Sequence, residues 1–480
     1  MAARVLVVLT LNIWGLLHVS KRRAERVVEL GRQLEFSNAD VVALQEVWVR
    51  TDAEYLRARA AAGGHLRHSH LFESGLFGPG LLVLSRHPIT ETSFYPFEVL
   101  GDPAKILGGD YFGSKGVGSA KLRVSDPQPG RLPVEVTLLV THTHANYKGS
   151  VVPLLLRSAH GSEGAEQTPE RVTEEPRSPF VDTGVRVPTD DDAGIRTSNL
   201  VQLGQIAARA ASAPGARVVV AGDLNSLPGS LEIGTLRQLA PCLRDTWAET
   251  QPSLDGFTCN TRGNSWSSPA NRPVRIDYVW SNMQPLGAAL VDNRTEAGHS
   301  VSDHLGVVAT LDLDSGGGPQ RCGDGGAVMP SANPEVPARL LQKAIWNAAA
   351  ERAEINLRLL QSRRSQLLWL SLALACLGLG LFLGAFWTRS ALGAWDDIWR
   401  RRLFESHKHR PFDRDKGFLA TQAGSSCASR RLRALFIASA GMVSMLVAGA
   451  LWLLGFLALT GQIRSMEAAH AGMMFLSSAS

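Results

Sequence analysis

The 480-residue sequence is poor in charge and in cysteine. Charged residues make up 19% of it and hydrophobic residues 45%, a balance that excludes a disordered or fibrous chain. Its five cysteines lack the paired spacing of a zinc site and are too scattered to predict a disulfide framework. The chain is therefore long and apolar enough to bury a large core and to form more than one domain.

A recognisable signal peptide is also lacking. Arg4 precedes the apolar run 5–11, but Asn12 interrupts that run and no small-residue cleavage site follows. A buried first strand is the better interpretation. The net charge of +5 suits either nucleic acid or an anionic membrane, so charge alone leaves both partners open.

Residues 1–313 have the pattern of a mixed α/β catalytic domain, because short β-branched runs alternate with amphipathic stretches. The strand candidates are residues 5–13, 41–44, 81–85, 120–124, 134–141, 218–221, 276–280 and 307–313. Polar residues follow several of these strands, which favours a site on loops at one edge of packed sheets. Residues 149–196 are rich in Pro, Gly and charge and are predicted to be a disordered insert.

The C-terminal part has the organisation of a membrane anchor. Segments 367–387 and 434–463 carry no charged residue and reach the roughly 20 residues that a transmembrane helix needs. A buried helical hairpin is disfavoured, since apolar residues occur all round both segments. The predicted organisation is a Gly/Pro linker at 314–337, a juxtamembrane helix at 338–365, transmembrane helices at 366–388 and 434–463, a basic loop at 389–433 and a tail at 464–480.

Charge does not fix the orientation of these two spans. The loop 389–433 carries more Arg and Lys than Asp and Glu, which favours a cytosolic loop. However, Arg358, Arg363, Arg364 and Arg464 place positive charge on the other side. A two-span protein of an intracellular membrane such as the endoplasmic reticulum, with a cytosolic catalytic domain, is the expectation.

Four short motifs carry the chemistry of the first 313 residues. Each alone is compatible with an ordinary turn or helix cap. Their order along the chain, each after a strand candidate, favours one assembled site. They are Asn12-Ile13-Trp14, Gln45-Glu46-Val47, Gly222-Asp223-Leu224-Asn225 and Ser302-Asp303-His304, and a fifth, Arg275-Ile276-Asp277-Tyr278, precedes the last.

Oxygen-bearing side chains in these motifs predict a magnesium site. Mg²⁺ prefers oxygen ligands, and Glu46, Asn12 and Asp303 offer them, with Mn²⁺ as a substitute ion. Attack on a phosphodiester builds negative charge around phosphorus, and a metal and positioned donors stabilise that charge. The sequence therefore predicts a metal-dependent phosphodiesterase.

Water also needs a base to become a nucleophile. His304 oriented by Asp277 is one candidate, Asp223 is another, and the sequence does not choose between them. Asn225 provides a nearby amide, and His142 is the candidate second imidazole that donates to the phosphoryl group.

The motif set resembles the superfamily of deoxyribonuclease I, abasic-site endonucleases, inositol polyphosphate phosphatases and neutral sphingomyelinases, and within it the membrane-anchored neutral sphingomyelinases. The resemblance covers about residues 4–313. It implies a four-layered α/β sandwich and Mg²⁺-dependent hydrolysis of sphingomyelin to ceramide and phosphocholine. It also implies that Asp110 and Lys115 switch the site between inactive and substrate-accepting states.

Three other functions are alternatives to this one. A choline lysophospholipid presents the same head group, so a lysophospholipase C activity is an alternative. A membrane-attached nuclease of the same superfamily is a second, but no Lys/Arg stripe lies near the motifs, so no nucleic acid is expected. An inactive membrane scaffold is a third. The expected partners are a membrane lipid substrate, the bilayer itself and anionic lipid.

Overall fold

The structure, a computed structural model, describes residues 4–75, 78–101, 113–125, 131–145, 192–315, 338–406 and 436–479. Asp110, the predicted linker 314–337 except its first two residues, and most of the predicted insert lie outside these ranges. The chain divides into two compact units. One comprises Met1–Leu357 with Arg464–Ser480, and the other comprises Arg358–Ile463.

Twelve strands are described in the first unit, and they form two six-stranded sheets. In chain order they are β1 (Val5–Asn12), β2 (Val41–Gln45), β3 (His68–Leu71), β4 (Leu82–Ser85), β5 (Ile89–Pro96), β6 (Gly116–Val124), β7 (Val134–His142), β8 (Val218–Asp223), β9 (Arg244–Asp245), β10 (Asp277–Ser281), β11 (Gln284–Val291) and β12 (Gly306–Asp312). The first sheet has the order β11-β12-β1-β2-β4-β3, and the second has the order β5-β6-β7-β8-β10-β9.

Helices cover the outer faces of both sheets. In chain order the helices are α1 (Arg23–Glu35), α2 (Arg50–Ala62), α3 (Ala193–Ala210), α4 (Leu231–Leu239), α5 (Thr246–Thr250), α6 (Ala338–Ser406), α7 (436–453) and α8 (Leu459–Ala479). A π-helical turn, Leu454–Ala458, joins the last two. A short 3-10 turn, Leu313–Ser315, follows β12.

Three hydrophobic cores separate four layers. Strand β1 shows the reason, because Leu6 and Val8 face the core between the sheets while Leu9 and Leu11 face the core under α1 and α2. The third core lies between the second sheet and helices α3 and α4. Central strands buried on both faces are nearly continuous apolar runs. The predicted four-layered α/β sandwich is confirmed.

Helix α3 begins earlier than the predicted end of the insert. Its first turn is buried, and Arg196 lies 3.7 Å from Glu232 of α4. A Cβ on Gly194 would lie 2.6 Å from the carbonyl oxygen of Arg352, so the start of α6 packs directly on α3. The predicted insert therefore overlaps a helix that these contacts hold in the first unit.

The second unit contains a helical hairpin. Ser371 donates from Oγ to the carbonyl oxygen of Ala448 at 2.8 Å, and Ser444 donates to that of Leu374 at 2.9 Å. A Cβ on Gly441 would lie 2.7 Å from the carbonyl oxygen of Gly378, so the backbones approach closely. Small residues and hydroxyls allow this packing between membrane helices.

Two helical stretches, Gln342–Gly384 and Phe436–Ser478, are long and apolar enough to cross a membrane. Only 11% and 17% of their most apolar windows are buried. Trp369 and Phe436, for example, are 71% and 77% exposed. Length, composition and exposed apolar surface agree with the two predicted spans, whose boundaries remain predictions.

One cysteine differs from the expectation. Cys242 is disulfide-bonded, whereas Cys259 and Cys376 are free thiols.

Candidate active site

The strand ends bring the predicted motifs to one edge of the sandwich. In the first sheet β1 and β2 are parallel, with Asn12 opposite Gln45, so Asn12 and Glu46 emerge together. In the second sheet β7 and β8 are parallel, with His142 opposite Asp223. Strand β10 is antiparallel to β8 and places Asp277 opposite Asp223. All nine described members of the predicted site join one connected network; the tenth, Asp110, lies outside the described residues.

Asn12 links the two sheets across the site. Its Nδ2 donates to Glu46 Oε1 and to Asp223 Oδ2, both at 3.1 Å. Its Oδ1 accepts from the backbone N–H of Trp14 at 2.9 Å, which fixes the orientation of the amide. The carboxylates of Glu46 and Asp223 are thereby held close together, although like charges repel.

The carboxylates at the mouth of the site fit a divalent cation. Glu46 Oε2 is buried and accepts no hydrogen bond from the described residues. Burial and then the nearby Asp303 raise the pKa of Glu46, and burial also raises the pKa of Asp303. Glu46 has a left-handed backbone with a φ of 60°, a strained conformation that aims its side chain into the site. Oxygen donors with uncompensated charge are the set that a hard dication binds.

A second group of side chains is also close enough to hold a metal. Ligand atoms of Asp223, Asp277 and His304 all lie within 4.8 Å of one another. Asp277 Oδ2, however, already lies 2.8 Å from His304 Nδ1, so these two groups engage each other. Glu46 and Asp303 therefore fit a metal better, and Asp223 lies between the two groups.

The pair of His304 and Asp277 is almost completely buried. Asp277 is 1% exposed, and its second oxygen, Oδ1, has no hydrogen-bond partner among the described residues. Burial disfavours the charged imidazole, but Asp277, Cys259 and Asp303 outweigh it and hold the pKa of His304 well above its ordinary value. With Nδ1 occupied, Nε2 faces Asp223 Oδ2 and Asp303 Oδ1, each at 4.0 Å.

Asp223 lies at the centre of the network. Burial first, and then repulsion by Asp277, raise its pKa to about 7. Its Oδ1 accepts from the backbone N–H of Asn225 at 2.8 Å, and Oδ2 lies 3.6 Å from His142 Nε2. A carboxyl group with a pKa near neutrality can accept or hold a proton at physiological pH.

Lys115 and Asn225 complete the side of the site formed by the second sheet. Lys115 is buried, lies 3.2 Å from His142 Nε2, and donates from Nζ to the carbonyl oxygen of Thr143 at 2.8 Å. Asn225 Nδ2 donates to the same carbonyl at 3.2 Å. Asn225 also has a left-handed backbone, with a φ of 45°. Lys115, His142 and Asn225 thus lie together on the side of the site next to Asp223.

Arg26, for which no role was predicted from the sequence, and Ser302, a motif residue without a predicted role, hold the site together. Arg26 is 1% exposed and donates to the carbonyl oxygens of Ile13, Trp14 and Val301 at 2.7–2.8 Å. Burial lowers its pKa to about 10, so it stays charged at neutral pH. Ser302 donates from Oγ to the carbonyl oxygen of Asn12 at 2.5 Å. The signal for Arg26 was its place on the apolar face of α1, one and two turns before Leu30 and Leu34.

Fold and site together define an α/β sandwich hydrolase with an acidic, histidine-containing centre that fits a divalent cation. The chain belongs to the Endonuclease/Exonuclease/phosphatase family, whose model matches residues 9–304. The predicted family is thereby confirmed, and the match spans every described residue of the network.

Named relatives of the chain act on sphingolipids. It is 42% identical over 140 residues to a Drosophila melanogaster protein described as a neutral sphingomyelinase, and 38% identical over 140 residues to Mus musculus sphingomyelin phosphodiesterase 2. Each match covers 29% of this chain and about a third of the relative, 30% and 31%. It is 28% identical over 352 residues to the Saccharomyces cerevisiae inositol phosphosphingolipids phospholipase C, covering 64% of this chain and 63% of that protein.

Proposed function

We propose that the chain is a divalent-metal-dependent phosphodiesterase that hydrolyses sphingomyelin to ceramide and phosphocholine. The observation that carries the proposal is the buried pair of His304 and Asp277, which faces Asp223. Nearby, Glu46 Oε2 has no hydrogen-bond partner among the described residues. The names of the Drosophila and mouse relatives support sphingomyelin as the substrate.

The metal is held by Glu46 and Asp303 in this proposal, and Asn12 positions the Glu46 carboxylate by donating to its Oε1. When bound, Mg²⁺ supplies Lewis-acid stabilisation of the charge that develops on the phosphoryl oxygens. Mn²⁺ is the natural substitute because it accepts the same oxygen ligands. Glu46 and Asp303 are 15% and 29% exposed, so they lie where a substrate phosphate can approach.

Proton transfer is assigned to Asp223. Its pKa of about 7 suits the removal of a proton from water near neutral pH. The raised pKa of His304 instead makes its Nε2 a donor to the phosphoryl oxygen, with Asp277 orienting the ring. His142 lies beside Asp223 and Lys115 lies beside His142, so these two groups are placed to stabilise negative charge or to protonate the leaving alkoxide.

Lys115 also supports the proposed switch. Its ammonium group contacts His142 and the Thr143 carbonyl, so movement of Lys115 would change the donors around the phosphate. The role of Asp110 in that switch remains a prediction.

A different sphingolipid head group is the second candidate. The match to the Saccharomyces cerevisiae relative extends over 352 residues, against 140 residues for the Drosophila and mouse relatives. Its name specifies inositol phosphosphingolipids. The same site chemistry cleaves either phosphodiester, so the head-group pocket decides between them. Choline lysophospholipids and nucleic acid remain the lower-ranked substrates.

The test is phosphate-ester release by the purified full-length protein. Liposomes containing labelled sphingomyelin or labelled inositol phosphorylceramide are incubated with Mg²⁺ or with EDTA, beside a His304→Ala control. We expect phosphocholine release that requires both the metal and His304. Release from the inositol lipid alone would show that the substrate is an inositol phosphosphingolipid and not sphingomyelin. Release that persists in EDTA would overturn the metal-dependent mechanism.

The membrane assignment belongs to the same proposal. The two apolar helices anchor the protein in an intracellular membrane such as the endoplasmic reticulum, with the catalytic unit in the cytosol. Confinement to the bilayer restricts the search for a lipid substrate to a surface. Anionic lipid is a proposed partner of the basic segment 389–433; residues 389–406 of this segment, predicted as a loop, form the last part of helix α6. No nucleic-acid partner is proposed.

A further inference from the structure

An exposed apolar loop follows the metal-binding end of β1. Leu16, Leu17 and Val19 are 37%, 50% and 65% exposed. Exposed apolar residues scattered singly need no explanation, but three of them within one four-residue stretch form a surface patch. The patch lies on the loop that connects Asn12 with helix α1.

This loop is fixed to the site on its inner side. Gly15 packs on the backbone of Glu46 so closely that a Cβ would lie 2.2 Å from the Glu46 carbonyl oxygen. Trp14 donates its backbone N–H to Asn12 and accepts from Arg26 through its carbonyl oxygen at 2.7 Å. The guanidinium of Arg26 also lies 4.9 Å from the centre of the Trp14 ring. The exposed leucines are therefore presented by a rigid support next to the proposed metal ligands.

Two other loops present apolar side chains at the same edge of the sandwich. Leu227 is 48% exposed and follows Asn225 by two residues. Leu254 and Phe257 are 57% and 37% exposed, and Phe257 precedes Thr258, whose Oγ1 accepts from the backbone N–H of Asp277. Three separate loops thus carry exposed apolar groups, and each adjoins a site residue: Asn12 in the chain, Asn225 in the chain, and Asp277 through the Thr258 hydrogen bond.

Basic side chains lie directly after the first of these loops. Lys21 is exposed, and the side chain of Arg22 is 50% exposed although it pairs with Glu25 at 2.8 Å. Exposed apolar groups beside lysine and arginine are the composition of surfaces that bind the interface of an anionic bilayer. A protein bound across this edge would block the mouth of the site, whereas a bilayer would present substrate to it.

We propose that these loops form an apolar rim that inserts into the bilayer interface and opens the catalytic site toward a lipid head group. The rim consists of Leu16, Leu17, Val19, Leu227, Leu254 and Phe257. The inference extends the proposed function and rests on it for the identity of the lipid. It adds a membrane contact made by the catalytic unit itself, besides the two apolar helices.

The first experiment separates docking from chemistry. Full-length protein carrying Leu17→Gln and Val19→Gln is assayed on sphingomyelin vesicles and on a short-chain sphingomyelin below its critical micelle concentration. We expect roughly a tenfold loss on vesicles, since each side chain loses apolar burial, and unchanged turnover of the monomeric substrate. Leu17→Phe should keep vesicle activity. Leu132→Gln is the matched control, because Leu132 is 82% exposed and precedes β7 at the opposite edge.

Equal losses of activity on both substrates, or no loss on vesicles, would contradict the proposed insertion of the rim into the bilayer. If the wild-type protein cleaves neither substrate, the proposed function fails, and a second measurement then tests the rim alone. Photoreactive p-benzoylphenylalanine is placed at position 17 or 132 of the full-length chain in phosphatidylcholine–phosphatidylserine proteoliposomes. We expect lipid adducts at position 17 and not at 132. Adducts at position 17 to another protein copy, or none, would contradict membrane docking.

Discussion

At the scale of single residues, Asp223 is the buried carboxyl group on which four residues of the site converge. It accepts from Asn12 and Asn225, and His142 and His304 both lie within 4.0 Å of it. Burial and the nearby Asp277 nevertheless outweigh these stabilising contacts and raise the pKa of Asp223 from 3.8 to about 7.

This raised pKa predicts a pH dependence of stability in EDTA. Between pH 3.8 and about 7 the folded protein holds a proton on Asp223 that the unfolded chain has released. The stability from that proton is fully present below pH 3.8 and is lost as pH rises through about 7. The raised pKa of His304 likewise makes stability fall as pH rises, over a higher pH range. We expect the melting temperature of Asp223→Asn to fall less steeply over this range than that of wild type.

Thermal melts of the two proteins in EDTA from pH 4 to pH 8 provide the measurement. His87→Gln is a suitable control, because His87 titrates away from the network. Burial lowers its pKa, so its contribution to stability is lost as pH falls, the opposite of Asp223. Parallel curves for wild type and Asp223→Asn would show that Asp223 titrates normally.

His304 and Asp277 are expected to act as one unit. Removing Asp277 leaves His304 Nδ1 without its 2.8 Å partner, so Asp277→Asn should lower kcat while the protein stays folded. The double variant, Asp277→Asn with His304→Ala, should have a kcat only a little lower than that of His304→Ala alone. A kcat measurement on the two single variants and the double variant tests this, with melting temperatures as a check on folding. Multiplicative losses would indicate independent roles.

Glu46→Gln is expected to weaken the metal site more than the fold. The amide keeps the shape but loses the charge that a dication needs, and Oε2 accepts no hydrogen bond from the part of the chain that the structure describes. We expect activity at low Mg²⁺ to fall at least about tenfold and excess Mg²⁺ to restore part of it. A titration of activity against Mg²⁺ measures the shift. An unchanged midpoint would remove Glu46 from the ligand set.

At the scale of elements, the sequence predicted the strands that are buried on both faces. The candidates at 41–44, 134–141 and 218–221 match β2, β7 and β8 to within two residues at each end, because uninterrupted β-branched runs are a strong signal. Strands β3, β5, β9 and β11, which are the edges of the two sheets, were missed. Most of their residues are exposed or only partly buried, and an edge strand lacks the apolar run that marks a central one.

The site was predictable for a related reason. Asn12, His142 and Asp223 each lie within two residues of the end of a predicted strand, so the chain order of the motifs already implied a common edge. Which groups pair across the sheets was not predictable, since Asn12 and Asp223 come together only through tertiary packing. The buried cation of Arg26 was missed because its partners are backbone carbonyls, which leave no mark in the side-chain sequence.

Helix α6 shows a second limit of sequence reasoning. The Gly/Pro stretch predicted a boundary at 314–337, yet Arg352 of α6 lies 3.2 Å from Glu232 of α4, and Trp346 is 2% exposed. We expect Trp346→Ala to destabilise the first unit by about 3–5 kcal/mol, since it removes a large buried side chain. The exposed Lys343→Ala is the matched control. Urea unfolding in detergent measures both, and equal stability of the two variants would contradict the packing.

At the scale of the whole molecule, the two helical ends of the catalytic unit come from distant parts of the chain. Residues up to Leu357 and residues from Arg464 belong to the same compact unit. Ser198 of α3 donates to Met466 Sδ at 3.7 Å, and Ser477 is hydrogen-bonded to Asn347. The hairpin Arg358–Ile463 is therefore an insertion between two segments that both help to bury α3.

This organisation predicts how the protein can be made soluble. Replacing residues 358–463 with a flexible Gly/Ser linker keeps both segments that pack on α3, whereas truncation after residue 337 removes them and exposes a helix buried on most sides. We expect the linker protein to leave the membrane fraction, to fold, and to keep activity on detergent-dispersed sphingomyelin. The truncated protein should melt at a lower temperature or aggregate. Circular dichroism melts and sedimentation compare the two proteins directly. A truncated protein as stable as the linker protein would show that the catalytic domain ends at the predicted boundary, 314–337.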